Sequence, residues 1–174
     1  LIKKQLKKEK IDFIGVTGKE NSGYSIILDS KAHDRTILTH KGANNNLKFN
    51  EINLKKLKTK WLYFSSMVNT SFKTLERLAI YAQKNNIKVA FNPSSYLTRK
   101  KIKYLEKILK NTNILILNKE EAENLVKGKT VEELLKKLTA RGPEIVVITH
   151  GKHYVIAFDT KKYHKIKPHN IKVV

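Results

Sequence analysis

A chain of 174 residues that is 40% hydrophobic has enough material for one packed core, and with no cysteine it excludes disulfides, thiol catalysis and cysteine-ligated zinc. No apolar run approaches the roughly 18 residues of a membrane span, and no charged-then-apolar leader opens the chain, which predicts a soluble, cytoplasmic protein without a membrane partner. Lys and Arg number 36 against 15 acidic residues, a formal charge of +21, but the lysines are spread along nearly every segment among Ile and Asn. Diffuse solvent-facing charge, binding nucleic acid only non-specifically at low salt, is therefore expected rather than a dedicated nucleic-acid surface.

Residues 1–9 read as the tail of a helix, with Leu1, Ile2 and Leu6 among lysines, and the chain opens on Leu rather than Met, as a fragment would. Tyr24–Leu28 and Arg35–Thr39 are short β-rich runs on either side of the turn-forming 29–34, so a hairpin is predicted. Lys41-Gly42-Ala43-Asn44-Asn45-Asn46 follows as a loop whose glycine and asparagines tolerate unusual backbone angles.

From Trp61 the pattern alternates. Trp61–Phe64 is a strand ending in Ser65-Ser66, and Leu75, Leu78, Ala79 and Ala82 make a helical stripe. Ile87–Phe91 is the next strand, ending in Asn92-Pro93-Ser94, and Ile102, Leu105, Ile108 and Leu109 mark another helix. Ile114–Leu117 is a continuous apolar run, expected to be a strand buried on both faces, and it passes at Asn118 into an acidic helix that Gly128 ends. Thr130-Val131-Glu132-Glu133 has the form of a capping box, leading a helix that Gly142-Pro143 closes. Ile145–Ile148 is a fourth buried strand, Tyr154–Phe158 returns antiparallel after a short loop, Tyr163–Lys167 alternates as a further strand, and Ile171–Val174 begins a run that stops unfinished.

Strands alternating with three-turn helices predict an α/β fold with a mainly parallel sheet and flanking helices, plus a small β lid. Right-handed crossovers bring the strand C-termini to one edge. That edge carries Ser65, Ser66, Asn92, Asn118, Thr149 and Gly151, a convergence of small polar residues where open α/β sheets bind ligands.

Simpler readings stand beside several of these motifs. Asn118-x-x-Glu121 has the spacing of a helix capping box, a device for any helix. His150 and His153 are a pair without a third metal ligand and read as solvated loop histidines. Gly128-Lys129-Thr130 ends like a P-loop, but Glu123 stands where the first glycine belongs; Gly15-Val16-Thr17-Gly18-Lys19-Glu20 fails in the same manner at Glu20.

Taken together, Ser22-Gly23-Tyr24-Ser25-Ile26-Ile27-Leu28, Asp34-Arg35-Thr36-Ile37-Leu38, Lys41-Gly42-Ala43-Asn44, Asn92-Pro93, Asn118-Lys119-Glu120-Glu121 and Thr149-His150-Gly151 resemble, in type and order, the lid, central strands, Asn-x-x-Glu and Thr-x-Gly-x-x-Gly nucleotide loop of ribokinase-like (PfkB-type) carbohydrate kinases. The resemblance implies a single incomplete domain over residues 1–174, with a β-lid and substrate side at about 13–46 and an α/β nucleotide side at about 50–174. It implies transfer of the γ-phosphate of ATP, with Mg2+, to a hydroxymethyl group of a small sugar or nucleoside substrate. It places Asn118, Glu121, Thr149 and Gly151 at the nucleotide, Glu121 at the metal, and Gly42, Ala43 and Asn44 at the substrate, and it allows a homodimer through the lid face of Tyr24, Ile26 and Leu28.

Two departures qualify it. Tyr154 occupies the last glycine position of the nucleotide loop, and the family's Gly-Gly…Asn and Gly-Ala-Gly-Asp segments are absent from these residues, the general base being expected beyond Val174. A fragment without kinase activity follows. The alternatives are a non-catalytic relative that binds a nucleotide or metabolite as a regulatory module, and a basic nucleic-acid-binding domain, for which the sequence offers no recognition motif and no clustered aromatic-basic surface.

Overall fold

The structure, a computed structural model, describes residues 2–29, 35–151 and 153–169. It divides into two compact units, one of Leu1–Lys58 with Met67–Thr74, the other of Thr59–Ser66 with Leu75–Val174.

The first unit opens with α1 (Ile2–Lys8) and holds the predicted hairpin as β1 (Ser22–Asp29) and β2 (Arg35–Gly42). The strands pair antiparallel from Ser22↔Gly42 to Asp29↔Arg35, so each is longer than the β-rich run that predicts it. The extension runs to Gly42, whose φ of 51° is costly for any residue with a Cβ. A Cβ there would also strike the carbonyl oxygen of Asn21. Pairing alternates side chains between faces, so Tyr24, Ile26, Leu28 and Leu38 share one side while Ile27 and Ile37 share the other; all six are more than half exposed. After β2 the chain makes three single 3-10 turns at Ala43–Asn45, Phe49–Glu51 and Leu54–Lys56, the first of them within the stretch expected as loop. Leu47 is pinned by its backbone: its N–H donates to Ser71 Oγ at 2.9 Å and its carbonyl accepts from Thr74 Oγ1 at 2.8 Å. These bonds satisfy two hydroxyls that are buried at 0% and 2% exposure.

The second unit is built on a six-stranded sheet in the order β3 (Trp61–Phe64), β4 (Lys88–Phe91), β5 (Ile114–Asn118), β6 (Ile145–His150), β7 (Tyr154–Phe158) and β8 (Tyr163–Ile166). The first four strands are parallel and the last two antiparallel. The parallel strands are joined in turn through α2 (Asn69–Lys84), α3 (Ser95–Thr98) with α4 (Lys101–Leu109), and α5 (Lys119–Leu125) with α6 (Val131–Thr139). Strands laid down side by side in sequence order, with right-handed crossovers, send their connections to the same face of the sheet. In keeping with this, α5 packs against α3, α4 and α6. Leu115 and Leu117 on β5, Val146 and Ile148 on β6, and Val89 and Phe91 on β4 are at most 1% exposed. The opposite face is only partly covered. Burial of Ile114–Leu117 on both faces is therefore complete for Leu115 and Leu117 and partial for Ile114 and Ile116. The run expected at Ile171–Val174 lies outside the described residues.

Asp159 closes the β7–β8 turn, its Oδ1 accepting from the N–H groups of Lys162 at 2.8 Å and Lys161 at 3.0 Å, and its Oδ2 from His164 Nε2 at 3.0 Å. The Lys162 N–H foremost, then His164, hold its carboxyl well below the ordinary aspartate range. A depressed folded pKa gives stability that is present above the unfolded value near 3.9 and lost as pH falls toward the folded one. Amides of Tyr154–Phe158 and Tyr163–Ile166 are thus expected to lose exchange protection, after correction for intrinsic rates, as pH drops below about 4. Asp159→Asn should remove that pH dependence, and protection unchanged at low pH in the wild type would contradict this role for the turn.

Candidate functional site

The C-terminal edge of β3–β6 gathers the polar residues that the sequence places there. At β3 and β4, Ser66 Oγ and Ser94 Oγ are hydrogen-bonded at 2.6 Å, and the Asn92 N–H donates to the Phe64 carbonyl at 2.9 Å. At β5, Asn118 is the N-cap of α5: its Oδ1 accepts from the Glu121 N–H at 2.8 Å while Glu121 Oε2 accepts from the Asn118 N–H at 3.0 Å. The capping box is real. It does not exhaust Glu121, whose Oε1 accepts from Ser95 Oγ on α3 at 3.2 Å. The three α5 carboxylates thus separate by environment. Glu120 faces Arg99 at 3.7 Å and Glu123 faces Lys119 at 3.7 Å, both at exposed positions, whereas Glu121 is 8% exposed and turned to the strand edge.

Parallel pairing puts Thr149 directly beside Asn118, and Thr149 Oγ1 donates to the Leu117 carbonyl at 3.4 Å. Two residues on, Gly151 has φ of 50°, and a Cβ built on it would meet nothing within 4 Å. Gly42 needs glycine because protein backbone crowds it. Gly151 has the same backbone requirement but stands against open space. Asn118, Glu121, Thr149 and Gly151 are thus brought to one stretch of edge, and Ser95, which no motif pointed to, ties it to α3. Only proximity in three dimensions reveals Ser95, since it lies 26 positions before Glu121 in the sequence.

His150 departs from its expected role as a solvated loop residue. It sits on the buried side of β6 opposite Tyr154, with the rings edge-on at 5.1 Å, and its Nδ1 is buried without a hydrogen-bond partner. His153 lies 5.0 Å from it, ring centre to ring centre, and among the described residues no group of three His, Asp or Glu side chains is arranged to hold a metal. Tyr154 carries the Lys165 ammonium 3.9 Å over its ring. Thr130 caps α6 through the Glu133 N–H at 3.2 Å, but the return bond from Glu133 goes to the Lys129 N–H at 2.9 Å, so the predicted box closes one residue early.

In the first unit, a cleft of about 500 Å³ is bordered by Gly42, His40, Asn21, Asn45 and Asn46. Ala43 and Asn44 do not border it; the Ala43 N–H donates to the Asn21 carbonyl at 3.0 Å and the Asn44 side chain is exposed. The 3-10 turn at Ala43–Asn45 rotates the next two asparagines toward the cleft instead. Asn46 Nδ2 donates to both oxygens of Glu20 at 2.8 Å, and Asn45 Oδ1 is buried without a partner.

The sequence matches the pfkB family of carbohydrate kinases across residues 1–174. The chain belongs to that family. Among solved structures, ribokinase from Thermotoga maritima is 21% identical and superposes with a TM-score of 0.80, over 99% of this chain and 57% of that one. Adenosine kinase from Schistosoma mansoni, solved with 2-fluoroadenosine, is 21% identical with a TM-score of 0.82, over 98% of this chain and 56% of that one. A nucleoside kinase from Burkholderia thailandensis, solved with inosine, is 14% identical with a TM-score of 0.78, over 99% and 56%. The chain therefore spans somewhat more than half the length of these kinases, and it shares with them the ribokinase-like α/β fold, a mostly parallel sheet with flanking helices and a small antiparallel sheet. No curated protein matches the sequence. No helix among the described residues is long and apolar enough to cross a membrane.

Magnesium fits this pfkB edge in one manner only. Glu121 has both oxygens engaged by the Asn118 N–H and Ser95 Oγ, and among the described residues it belongs to no group of three His, Asp or Glu side chains arranged to hold a metal. A pre-bonded carboxylate of this kind suits an ion that keeps its waters and arrives with phosphate oxygens, as magnesium does, rather than one caged by protein.

Proposed function

We propose that this pfkB-family chain carries the nucleotide edge and the substrate lid of an ATP-dependent kinase acting on a hydroxymethyl group of a sugar or nucleoside. The observation that carries the reading is the juxtaposition of Asn118 and Thr149 on neighbouring parallel strands, with Glu121 turned inward beside them and Gly151 facing open space. In this reading the small side chains and the bare Gly151 backbone let phosphates approach closely, and Glu121 orients the water shell of a magnesium ion whose bound charge offsets that of the phosphates. Ser95 holds Glu121 in that orientation. The amide-rich cleft beside Gly42, with the unpartnered Asn45 Oδ1 as an acceptor for a hydroxyl, faces the substrate. Phosphoryl transfer asks for positioning and charge neutralisation, and the residues present supply those two functions.

The family's Gly-Ala-Gly-Asp segment has no counterpart in these 174 residues, so residues 1–174 alone are expected to bind ATP with Mg2+ and not to turn it over. A calorimetric titration with ATP and Mg2+, followed by an assay for phosphorylated ribose and adenosine, tests both halves. Glu121→Gln keeps the reciprocal cap, because Gln serves at that position of the box, so its melting temperature should hardly change while magnesium-dependent affinity falls. No heat of binding from the wild type sinks the nucleotide assignment; multiple turnovers sink the claim that the base lies elsewhere.

The exposed apolar ribbon favours one further element of this reading. A two-stranded hairpin is marginal by itself, and six large apolar side chains exposed on its two sides are suited to a second copy of the chain. A homodimer through the lid should appear by light scattering, and Ile26→Lys with Leu38→Lys should convert it to monomer; a wild-type monomer at all concentrations rules the dimer out.

A further inference from the structure

Folding concentrates part of a charge that looks diffuse in the sequence. Residues 95–110 hold Arg99, Lys100, Lys101, Lys103, Lys107 and Lys110 against the single carboxylate Glu106. Glu106 pairs with Lys110 at 2.8 Å and Arg99 with Glu120 at 3.7 Å, while Lys100, Lys103 and Lys107 make no ion pair among the described residues. Helical spacing puts Lys103, Tyr104 and Lys107 on one stripe of α4, opposite Leu105, Ile108 and Leu109, which are fully buried, and Lys100 is the residue just before the helix. At the head of this stripe the Lys100 ammonium lies 5.0 Å from the centre of the Tyr96 ring and 4.8 Å from that of Tyr104. Both rings are at the surface, Tyr96 57% and Tyr104 36% exposed. The two tyrosines are eight positions apart in sequence, and the break between α3 and α4 is what brings both to one ammonium; that is why the sequence offers no clustered aromatic-basic surface and the structure has one.

We propose that the Tyr96–Lys100–Tyr104 face of α3 and α4 binds single-stranded nucleic acid, with the tyrosine rings as platforms for unstacked bases and Lys100, Lys103 and Lys107 on the phosphates. Unpaired cations alone would suit any polyanion. Exposed aromatic rings set among them select a chain that can splay planar bases onto them, which a duplex or an acidic protein surface does not do. The surface is independent of the kinase reading, since neither tyrosine nor any of the three lysines belongs to the edge assigned to the nucleotide.

Fluorescence anisotropy of the full chain with a labelled oligouridine of about 12 nucleotides, and with a duplex of similar length, tests this at about 0.15 M salt. Tyr96→Leu with Tyr104→Leu should weaken the single strand at least about tenfold and leave the duplex unchanged. Lys103→Gln with Lys107→Gln should flatten the log-log salt dependence of single-strand binding by about 1.4. Matching circular dichroism melts show that the exposed replacements leave the fold intact, and the lysine pair carries the test if the tyrosine pair does not fold. Single-strand affinity indifferent to the tyrosine pair overturns the proposal, as does equal, tyrosine-dependent binding to phosphatidylserine vesicles. Displacement of the oligonucleotide by stoichiometric ATP and Mg2+ overturns it too, by assigning the rings to the nucleotide site.

Discussion

Gly151→Val should lose at least about tenfold in affinity for ATP and Mg2+, some 1.4 kcal/mol or more, while still folding. The two effects have separate causes. A φ of 50° is left-handed backbone, where a β-branched side chain is least tolerated, at roughly 1–2 kcal/mol. That cost falls on folding and is modest because no protein atom lies within 4 Å of the added Cβ. The loss in binding arises separately, because the valine fills the space beside Thr149 and Asn118 where the phosphates are proposed to lie. Gly151→Ala should fall between. Calorimetry for affinity and a melting curve for stability separate the two, and a valine variant that melts early yet binds ATP as the wild type does would remove Gly151 from the site.

Leu135→Ala should lower the stability of the second unit by about 2–5 kcal/mol, roughly 5–15 °C in melting temperature. Leu135 is completely buried on α6, which packs on β6, β7 and α5, so its removal leaves a cavity under the strands that carry Thr149. The exposed neighbour Lys136→Ala should stay within about 0.5 kcal/mol of wild type. Thermal or urea unfolding of the two variants side by side measures the difference, and equal midpoints would mean that α6 is not packed as described.

What the sequence makes legible follows from how local each signal is. The β5–α5 junction is readable because an apolar run, an Asn and a Glu three residues on are all contiguous, and the capping box forms from that spacing. The parallel sheet is readable from alternation alone. What eludes the sequence is contact between distant residues. Ser95 gives no sign of reaching Glu121, 26 residues away, until β4 and β5 lie side by side. Asn45 and Asn46 look like more of the same loop as Asn44, and only the 3-10 turn decides which asparagines border the cleft. His150 reads as a loop histidine because the strand is expected to end at Ile148, whereas pairing with Tyr154 carries β6 two residues further and turns the ring inward. The half-exposed faces of Ile114 and Ile116 arise from strand order, a property no local window contains.

Backbone amide shifts of residues 1–174 titrated with ATP and Mg2+ bear most directly on the assignment of the β5–β6 edge to the nucleotide. The largest changes should fall on Asn118, Lys119, Thr149 and Gly151, with Ser95 moving as Glu121 adjusts. Changes confined to other parts of the sheet, or none at all at saturating ATP, would contradict it.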